Sequence, residues 1–429
     1  MGKTNLSRRF WLALVIFSLT VQVAWVVENM YFNVFIYKMF HADTGAISLM
    51  VAASAVSATL TTIFVGAFSD KVGKRKIFMC LGYILWGVSI LTFSLIRVDV
   101  IGRLFPFASA AALGVTLTII MDCVMTFFGS SANDACFNAW LTDSTTDGNR
   151  GAAEGVNAMM PLMAILVVFG SFMAFDLNRA ESWSLILALI GAIVIVIGVL
   201  GFFLIEDPCV KRAENGRYFA NVFYGFRPSN MRKNPAFYIT LAAFAVFSIS
   251  IQIFMPYLII YYEVSLSMKD YVLIMAPAII LAALFTVFYG RSYDKFGFKK
   301  SIFGSLILLI LGYAVLYFFR ATIPVFVGSL FMMCGYLSGS AVFGAMLRDR
   351  TPQNKAGMFQ GLRIVGQVLI PGIIGPYIGA AVLKNAEKIV NSDGTTSFVP
   401  NKNIFLAAAV VALLLSVIFF MKEDKKKNA

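Results

Sequence analysis

Twelve stretches of about 20 or more mostly apolar residues run through the chain, the length an α-helix needs to cross the hydrocarbon core of a bilayer. They lie at 10–38, 45–68, 76–97, 107–141, 156–176, 182–205, 236–262, 271–290, 301–320, 323–347, 358–383 and 403–421. Lipid offers open backbone no hydrogen-bond partner, so such runs must be helices. The fourth is long enough to be tilted, or broken near Gly129-Ser130-Ser131. The expected fold class is all-α, a polytopic membrane protein of twelve transmembrane helices. Composition agrees: 59% of the 429 residues are hydrophobic and 13% are charged, against about 25% charged in soluble domains. A soluble enzyme, a secreted domain and a disordered hub are excluded, because so few charges cannot cover so apolar a body.

An even number of crossings puts both termini on one side, and the basic residues choose which. The N-terminus, the even-numbered loops 2–3, 4–5, 6–7, 8–9 and 10–11, and the C-terminus carry 26 of the 35 Lys and Arg residues. Both termini are therefore expected in the cytoplasm, with the chain in the cell membrane. The net charge of +13 is then a positive-inside excess, and no nucleic acid is expected as a partner. Lys3, Arg8 and Arg9 precede an apolar run from Phe10, as in a signal peptide. That run continues through Val27 into Tyr31–Phe40 without a small-residue cleavage site, the pattern of an uncleaved first helix.

Chemistry-bearing residues are sparse. Cys80, Cys123, Cys136, Cys209 and Cys334 are scattered singly, with no metal or disulfide spacing. His41 stands alone, which excludes a metal site of the HExxH kind, and no GxxxxGK[ST] loop is present to cradle ATP. No catalytic residues, metal or cofactor are expected. The expected partners are a small-molecule solute and the lipid bilayer, with the chain acting as a monomer.

The basic stretch 206–235, with Lys211, Arg212, Arg217, Arg227, Arg232 and Lys233, divides the chain into six helices (1–205) and six helices (236–429). Tyr218–Tyr224 within it is expected to lie on the lipid surface. The halves repeat. Gly66-x-x-x-Asp70-Lys71-x-Gly73-x-Arg75-Lys76 recurs as Gly290-x-x-x-Asp294-Lys295-x-Gly297-x-Lys299-Lys300, offset by 224 residues. Ala139-Trp140-Leu141-Thr142-Asp143 is echoed by Ala345-Met346-Leu347-Arg348-Asp349. Parallel repeats of six helices are a transporter architecture, with the solute site near mid-membrane.

The doubled loop resembles the signature of the major facilitator superfamily. Asn133-Asp134, Trp140-Leu141-Thr142-Asp143, Asp147 and Asn149-Arg150-Gly151 further resemble the end of helix 4 in the glycoside–pentoside–hexuronide:cation symporters, the melibiose permease group. So do Phe226-Arg227-Pro228, Asn234-Pro235, Gln252 and Pro256-Tyr257 at helix 7. The resemblance implies two pseudo-symmetric bundles, a symporter of sugars or glycosides, and a gate latch at Asp70 and Asp294. Gly66 and Gly290 are expected to let helices approach closely. Gly73, Arg75 and Gly297 complete the gate loops. A carboxylate at a helix end can hold a basic side chain or a neighbouring helix N-terminus.

Three acids, Glu28, Asp122 and Asp134, fall inside predicted spans, where ionisable groups are costly and mark pathways. They are the expected ion-coupling residues, and the resemblance places the coupling-site aspartate of helix 4 at Asp134. Gln22, Trp25, Asn29 and Phe32 share one helix face by spacing, with Glu28 at its edge and Asn33 nearby. Glu28, Trp25, Asn29, Asn33, Asp134, Gln252, Tyr257, Arg363 and Gln367 are the candidate solute-binding residues. Trp140 and Tyr261 are further aromatics that could face a sugar ring. Asp134 lies nine residues before Asp143, and Arg363 eight after Lys355, similar depths that invite a charge pair. Where the resembled group has further helix-2 aspartates, register from Gly73 gives Ser54 and Ala58. Its helix-1 sugar-binding aspartate falls near Ala24, and its helix-5 arginine near Met159, beside Asn157. A sodium site of that type is not expected. H+ is the expected coupling ion, held by Glu28 or Asp134, with Na+ the alternative. An exporter of drugs or other amphipathic compounds is the competing function, kept open by 41 phenylalanines.

Overall fold

A computed structural model describes residues 6–146, 149–206, 226–268, 270–351, 361–391 and 394–427, apart from the side chains of 67, 70, 150, 151, 291, 294 and 416–427. Eleven described helices are long and apolar enough to cross a membrane: α1 Arg8–Phe40, α2 Thr44–Val72 (apolar over Thr44–Gly66), α3 Arg75–Phe93, α4 Ala110–Asp143, α5 Arg150–Phe172 (apolar over Ala152–Phe172), α6 Ala180–Leu204, α7 Pro235–Ser265, α8 Tyr271–Gly290, α9 Lys295–Phe318, α10 Thr322–Arg350 and α11 Gly361–Val382. The final helix, α12 Asn403–Lys427, is apolar over Asn403–Leu415. Each matches one predicted stretch, with ends shifted by a few residues; α5 begins six residues earlier than expected.

Local chemistry sets the helix ends. Ser7 accepts a hydrogen bond from the Phe10 amide at 3.1 Å, and Asp43 Oδ1 accepts one from the Ala46 amide at 2.7 Å, each occupying an otherwise orphaned donor. Pro235 opens α7, where its missing N–H costs nothing. Gly73 and Gly297, at φ 70° and 75°, turn the chain in the left-handed region that a side chain would strain. Two features were not expected from sequence. A short helix, Val98–Leu104, follows α3. A hairpin, β1 (Lys388–Val390) paired antiparallel with β2 (Thr396–Phe398), interrupts the otherwise helical fold between α11 and α12.

Four π-helical segments interrupt the spans: Val27–Tyr31 in α1, Ser131–Phe137 in α4, Tyr261–Ser265 in α7 and Val365–Leu369 in α11. Helix α4 is thus unbroken at Gly129-Ser130-Ser131. A widened turn begins there instead.

The chain packs as two units: Met1–Ala42 with Ala53–Val222, and Asp43–Ala52 with Phe223–Ala429. In the first, Tyr83 stands against Phe17 at 4.7 Å and donates its hydroxyl to the Phe17 carbonyl at 3.0 Å, joining α3 to α1. In the second, α7 is the most enclosed span, with 72% of its apolar window buried. Phe244 stacks on Phe343 at 5.0 Å, and Ser250 bonds both Tyr313 and the Ala408 carbonyl.

Candidate substrate and ion-coupling site

Glu28 sits on the π turn of α1, 7% exposed. Its Oε1 accepts hydrogen bonds from Ser54 of α2 and Thr126 of α4, both at 2.8 Å, and the two hydroxyls lie 2.8 Å apart. Asp122, 2% exposed, is one helical turn before Thr126, within reach of Ser54 and close enough to Glu28 to repel it. Glu28 Oε2 and Asp122 Oδ1 are buried without a hydrogen-bond partner. Asp134, on the π turn of α4, accepts from Asn133 at 2.8 Å and also acts electrostatically on Glu28. Three acids therefore converge within the first unit.

Among its described residues, no Lys or Arg forms an ion pair with any of the three. A buried carboxylate without a counter-charge costs several kcal/mol in real proteins, about 20 by the Born limit. The arrangement is one that a positive charge, a proton or a small cation, would stabilise. The donor set is carboxylate and hydroxyl oxygen, the hard ligands that a sodium ion takes and that a proton can bridge. Among the described residues, no three His, Cys, Asp or Glu side chains form a metal-holding group.

Tight packing fixes these positions. A Cβ on Gly82 of α3 would stand 2.7 Å from that of Ala132, and one on Gly129 would stand 2.8 Å from the Trp86 ring. The absent side chains let α3 press against the π turn that carries Asp134. Trp86 in turn lies 6.3 Å from Trp25.

The π turn of α1 corrects one expectation. Its extra residue per turn breaks the spacing that would place Trp25, Asn29 and Phe32 on one face. Asn29 is exposed and Trp25 half-buried, while Phe32 is buried against Phe93 at 4.7 Å. Asn29 and Asn33 turn their amides back onto the carbonyls of Trp25 and Asn29, at 2.8 and 3.0 Å. Asn33 is buried, its Oδ1 unpartnered. Asn157 accepts a hydrogen bond from Ser18. Trp140 is buried, donating to the Glu206 carbonyl at 3.1 Å.

In the second unit, Gln252 is half-buried where Gly375 of α11 comes close. Tyr257 differs from expectation: it is fully buried, its hydroxyl bonded to Ser48 at 3.1 Å and to the Thr44 carbonyl at 3.2 Å, so no surface remains for a solute. Tyr261 is likewise buried. Arg363 is half-buried near Arg348, its Nε without an acceptor among the described residues. Gln367 lies one turn on, in the α11 π segment.

Of the gate loops, the Asp70 and Asp294 side chains lie outside the described residues, as do Asp147, Cys209, Lys355 and most of the basic stretch. Arg75 is 5% exposed, with Nε 3.3 Å from Asp143 and Nη1 donating to Ser69 at 2.6 Å. Gly66 makes an ordinary contact toward Ala135. Gly290 has open space where a side chain would stand, so close helix approach is not its role.

Sequence reasoning missed Thr126. The signal was present, since Thr118, Asp122, Thr126 and Ser130 recur every four residues, one polar stripe on α4. All four are buried.

The sequence matches the Major Facilitator Superfamily over residues 10–335 and, in a second overlapping match, 272–429. The chain belongs to that superfamily: it is a multi-pass membrane transporter. No curated protein matches it. Among solved structures, a mutant of the nucleoside transporter NupG is similar with a TM-score of 0.73 at 13% identity, covering 96% of this chain and 98% of that one. A D-xylose-proton symporter gives 0.72 at 15%, covering 95% and 96%. The xylose transporter XylE from E. coli, partially occluded and inward open, gives 0.70 at 14%, covering 96% and 97%. At these identities the likeness is one of fold.

Proposed function

We propose that the protein is a secondary active transporter that moves a small polar solute, a sugar or glycoside, across the cell membrane by alternating access, coupled to H+. The observation that carries this reading is the Glu28–Ser54–Asp122–Thr126 cluster: two buried acids around two hydroxyls, with Asp134 in electrostatic range. Such a group holds a proton in one state and releases it when water reaches it in another, which is what coupling requires. Ser54 stands where the melibiose group would have a sodium-site aspartate, so the resemblance favours a glycoside substrate while this residue favours the proton over Na+. A nucleoside transporter and a proton-coupled xylose transporter among the similar folds are compatible with a polar, hydroxyl-rich solute. We place both termini in the cytoplasm on the basic-residue count.

Trp25, Asn29 and Asp134 are the proposed solute contacts of the first unit, and Gln252, Arg363 and Gln367 those of the second. The test is uptake of labelled sugars and glycosides into proteoliposomes under an imposed pH gradient. Saturable accumulation abolished by protonophore, and lost in Glu28→Gln and Asp134→Asn, is expected. Accumulation that follows a sodium gradient, or outward movement of amphipathic dyes only, would overturn the reading. Normal uptake by Arg363→Gln would end its assignment and any pairing with Asp134.

A further inference from the structure

A cavity lies where three spans of the first unit end together: α1 at Phe40, α3 at Phe93 and α6 from Ala180. It encloses about 450 Å3, within the range of small-molecule sites. Its floor is apolar, made by Phe35, Met39, Phe93, Ile96 and Trp183. The polar atoms of that floor are already committed: Trp183 Nε1 donates to the Leu177 carbonyl at 2.9 Å, and Ser184 to the Ser94 carbonyl at 2.9 Å.

The rim carries both signs of charge. Arg97 donates from Nε to Asp99 Oδ1 at 2.9 Å, and from Nη2 to Asp99 Oδ2 at 3.4 Å and Glu181 Oε1 at 3.2 Å. A guanidinium has five N–H donors in a fixed fork. Among the described residues, the pair on Arg97 Nη1 has no acceptor. Glu181 Oε2 stands 3.8 Å from Arg179, beyond hydrogen-bond length, and the side chain is 61% exposed. The rim thus presents a free donor pair on Arg97 beside a carboxylate oxygen that is ion-paired to Arg179 but keeps its hydrogen-bonding capacity. The hydrogen bond from Arg97 holds Asp99 below its ordinary range and Asp99 holds Arg97 above its own, so both stay charged at neutral pH.

We propose that this cavity binds a zwitterionic phospholipid whose head group bears a primary ammonium, of the phosphatidylethanolamine type. The phosphate accepts from Arg97 Nη1, as guanidinium–phosphate geometry favours. The ammonium donates to Glu181 Oε2. The first carbons of the chains cover the aromatic floor and continue over Leu95 and Val98, which are 66% and 44% exposed. A choline head group has no N–H for Glu181, and a glycerol head group brings no cation. The proposal stands whichever solute the protein carries.

The experiment is native mass spectrometry of the full-length protein from micelles holding equal amounts of phosphatidylethanolamine, phosphatidylcholine and phosphatidylglycerol. The ethanolamine lipid should be retained about fivefold over either competitor, and Glu181→Gln should bring it within about twofold. Ala180→Phe, which fills the cavity, should remove the preference while leaving the Arg97–Asp99 pair intact. Arg97→Gln should also remove the preference, through loss of the phosphate donor; if it fails to fold, the other two variants decide. Equal retention of the three lipids by the wild type, or a preference unchanged in both Glu181→Gln and Ala180→Phe, overturns the proposal.

Discussion

In the first copy of the repeated loop Arg75 is buried and reaches Asp143 at 3.3 Å, whereas in the second copy Asp349, the counterpart of Asp143, is held by the hydroxyl of Tyr293. The offset of 224 residues puts Tyr293 where the first copy has Ser69. Ser69 is too short to reach the carboxylate, and Arg75 spans the gap, bonding both. A tyrosine at that place makes the contact directly. Arg350, next to Asp349, turns elsewhere, donating to Thr240 at 2.5 Å and to the Ala236 carbonyl at 3.0 Å. Among the described residues, the positive-φ glycine is repeated while this contact is not: Asp143 is held by a cation, Asp349 by a neutral donor. The interiors diverge in the same sense, with converging acids in the first unit and a half-buried arginine in the second.

That contrast can be broken by substitution. The largest effect is expected at Glu28→Gln, which should lower pH-driven accumulation at least about tenfold, equivalent to about 1.4 kcal/mol or more. Arg363→Gln should instead raise the KM for the solute and leave the proton requirement in place. Arg75→Ala removes the cation that bonds Asp143 and Ser69, leaving the Ser69 hydroxyl only its bond to the Gly66 carbonyl at 3.1 Å. A loss of about 1–3 kcal/mol is expected, read as a lowered unfolding temperature in detergent. Gly73→Ala and Gly297→Ala probe the positive φ that the copies share, and should cost about 1–3 kcal/mol each. Unequal values would mean that the turns are not equivalent. Tyr293→Phe loses the partly exposed hydroxyl that contacts Asp349 and Met346 Sδ and should cost about 0.5–1.5 kcal/mol, less than Arg75→Ala; a larger loss would reverse the ranking of the two fastenings.

The smallest effect concerns the extramembrane ends, where the first unit uses the Arg97–Asp99–Glu181 ion cluster and the second rests Lys402 on the Tyr317 ring at 4.5 Å. Arg97 holds Asp99 below its ordinary 3.8. The stabilisation is therefore complete above that value and lost as pH falls through the lowered one. The wild type should exceed Asp99→Asn in stability at pH 7, by under about 1 kcal/mol because the pair is solvent-exposed, and the gap, read in unfolding temperature, should close as pH falls below the lowered value. A gap that widens in acid would assign the stabilisation to another group.

The spans were legible because lipid imposes length and hydropathy on each segment separately. The doubled loop was legible because a positive-φ glycine and its neighbours recur at one offset. Glu28, Asp122 and Asp134 were legible as acids in apolar runs. Their grouping was not, since it depends on π turns that add a residue without changing composition. The same turns took Phe32 off the face of Trp25. Tyr257 read as a solute contact because a tyrosine beside a proline in a span has no periodic signature of burial. The β1–β2 hairpin, two strands of three residues, is too short for alternation to show.

Glu28 and Asp134 both ride on turns with one residue too many for an α-helix. Such an excess can travel along a helix by exchanging one backbone hydrogen bond at a time, and each step swings the intervening side chains part-way around the axis. These two carboxyls are thus mounted on screws with slack in the thread. They can be re-aimed while the rods that bear them stay whole.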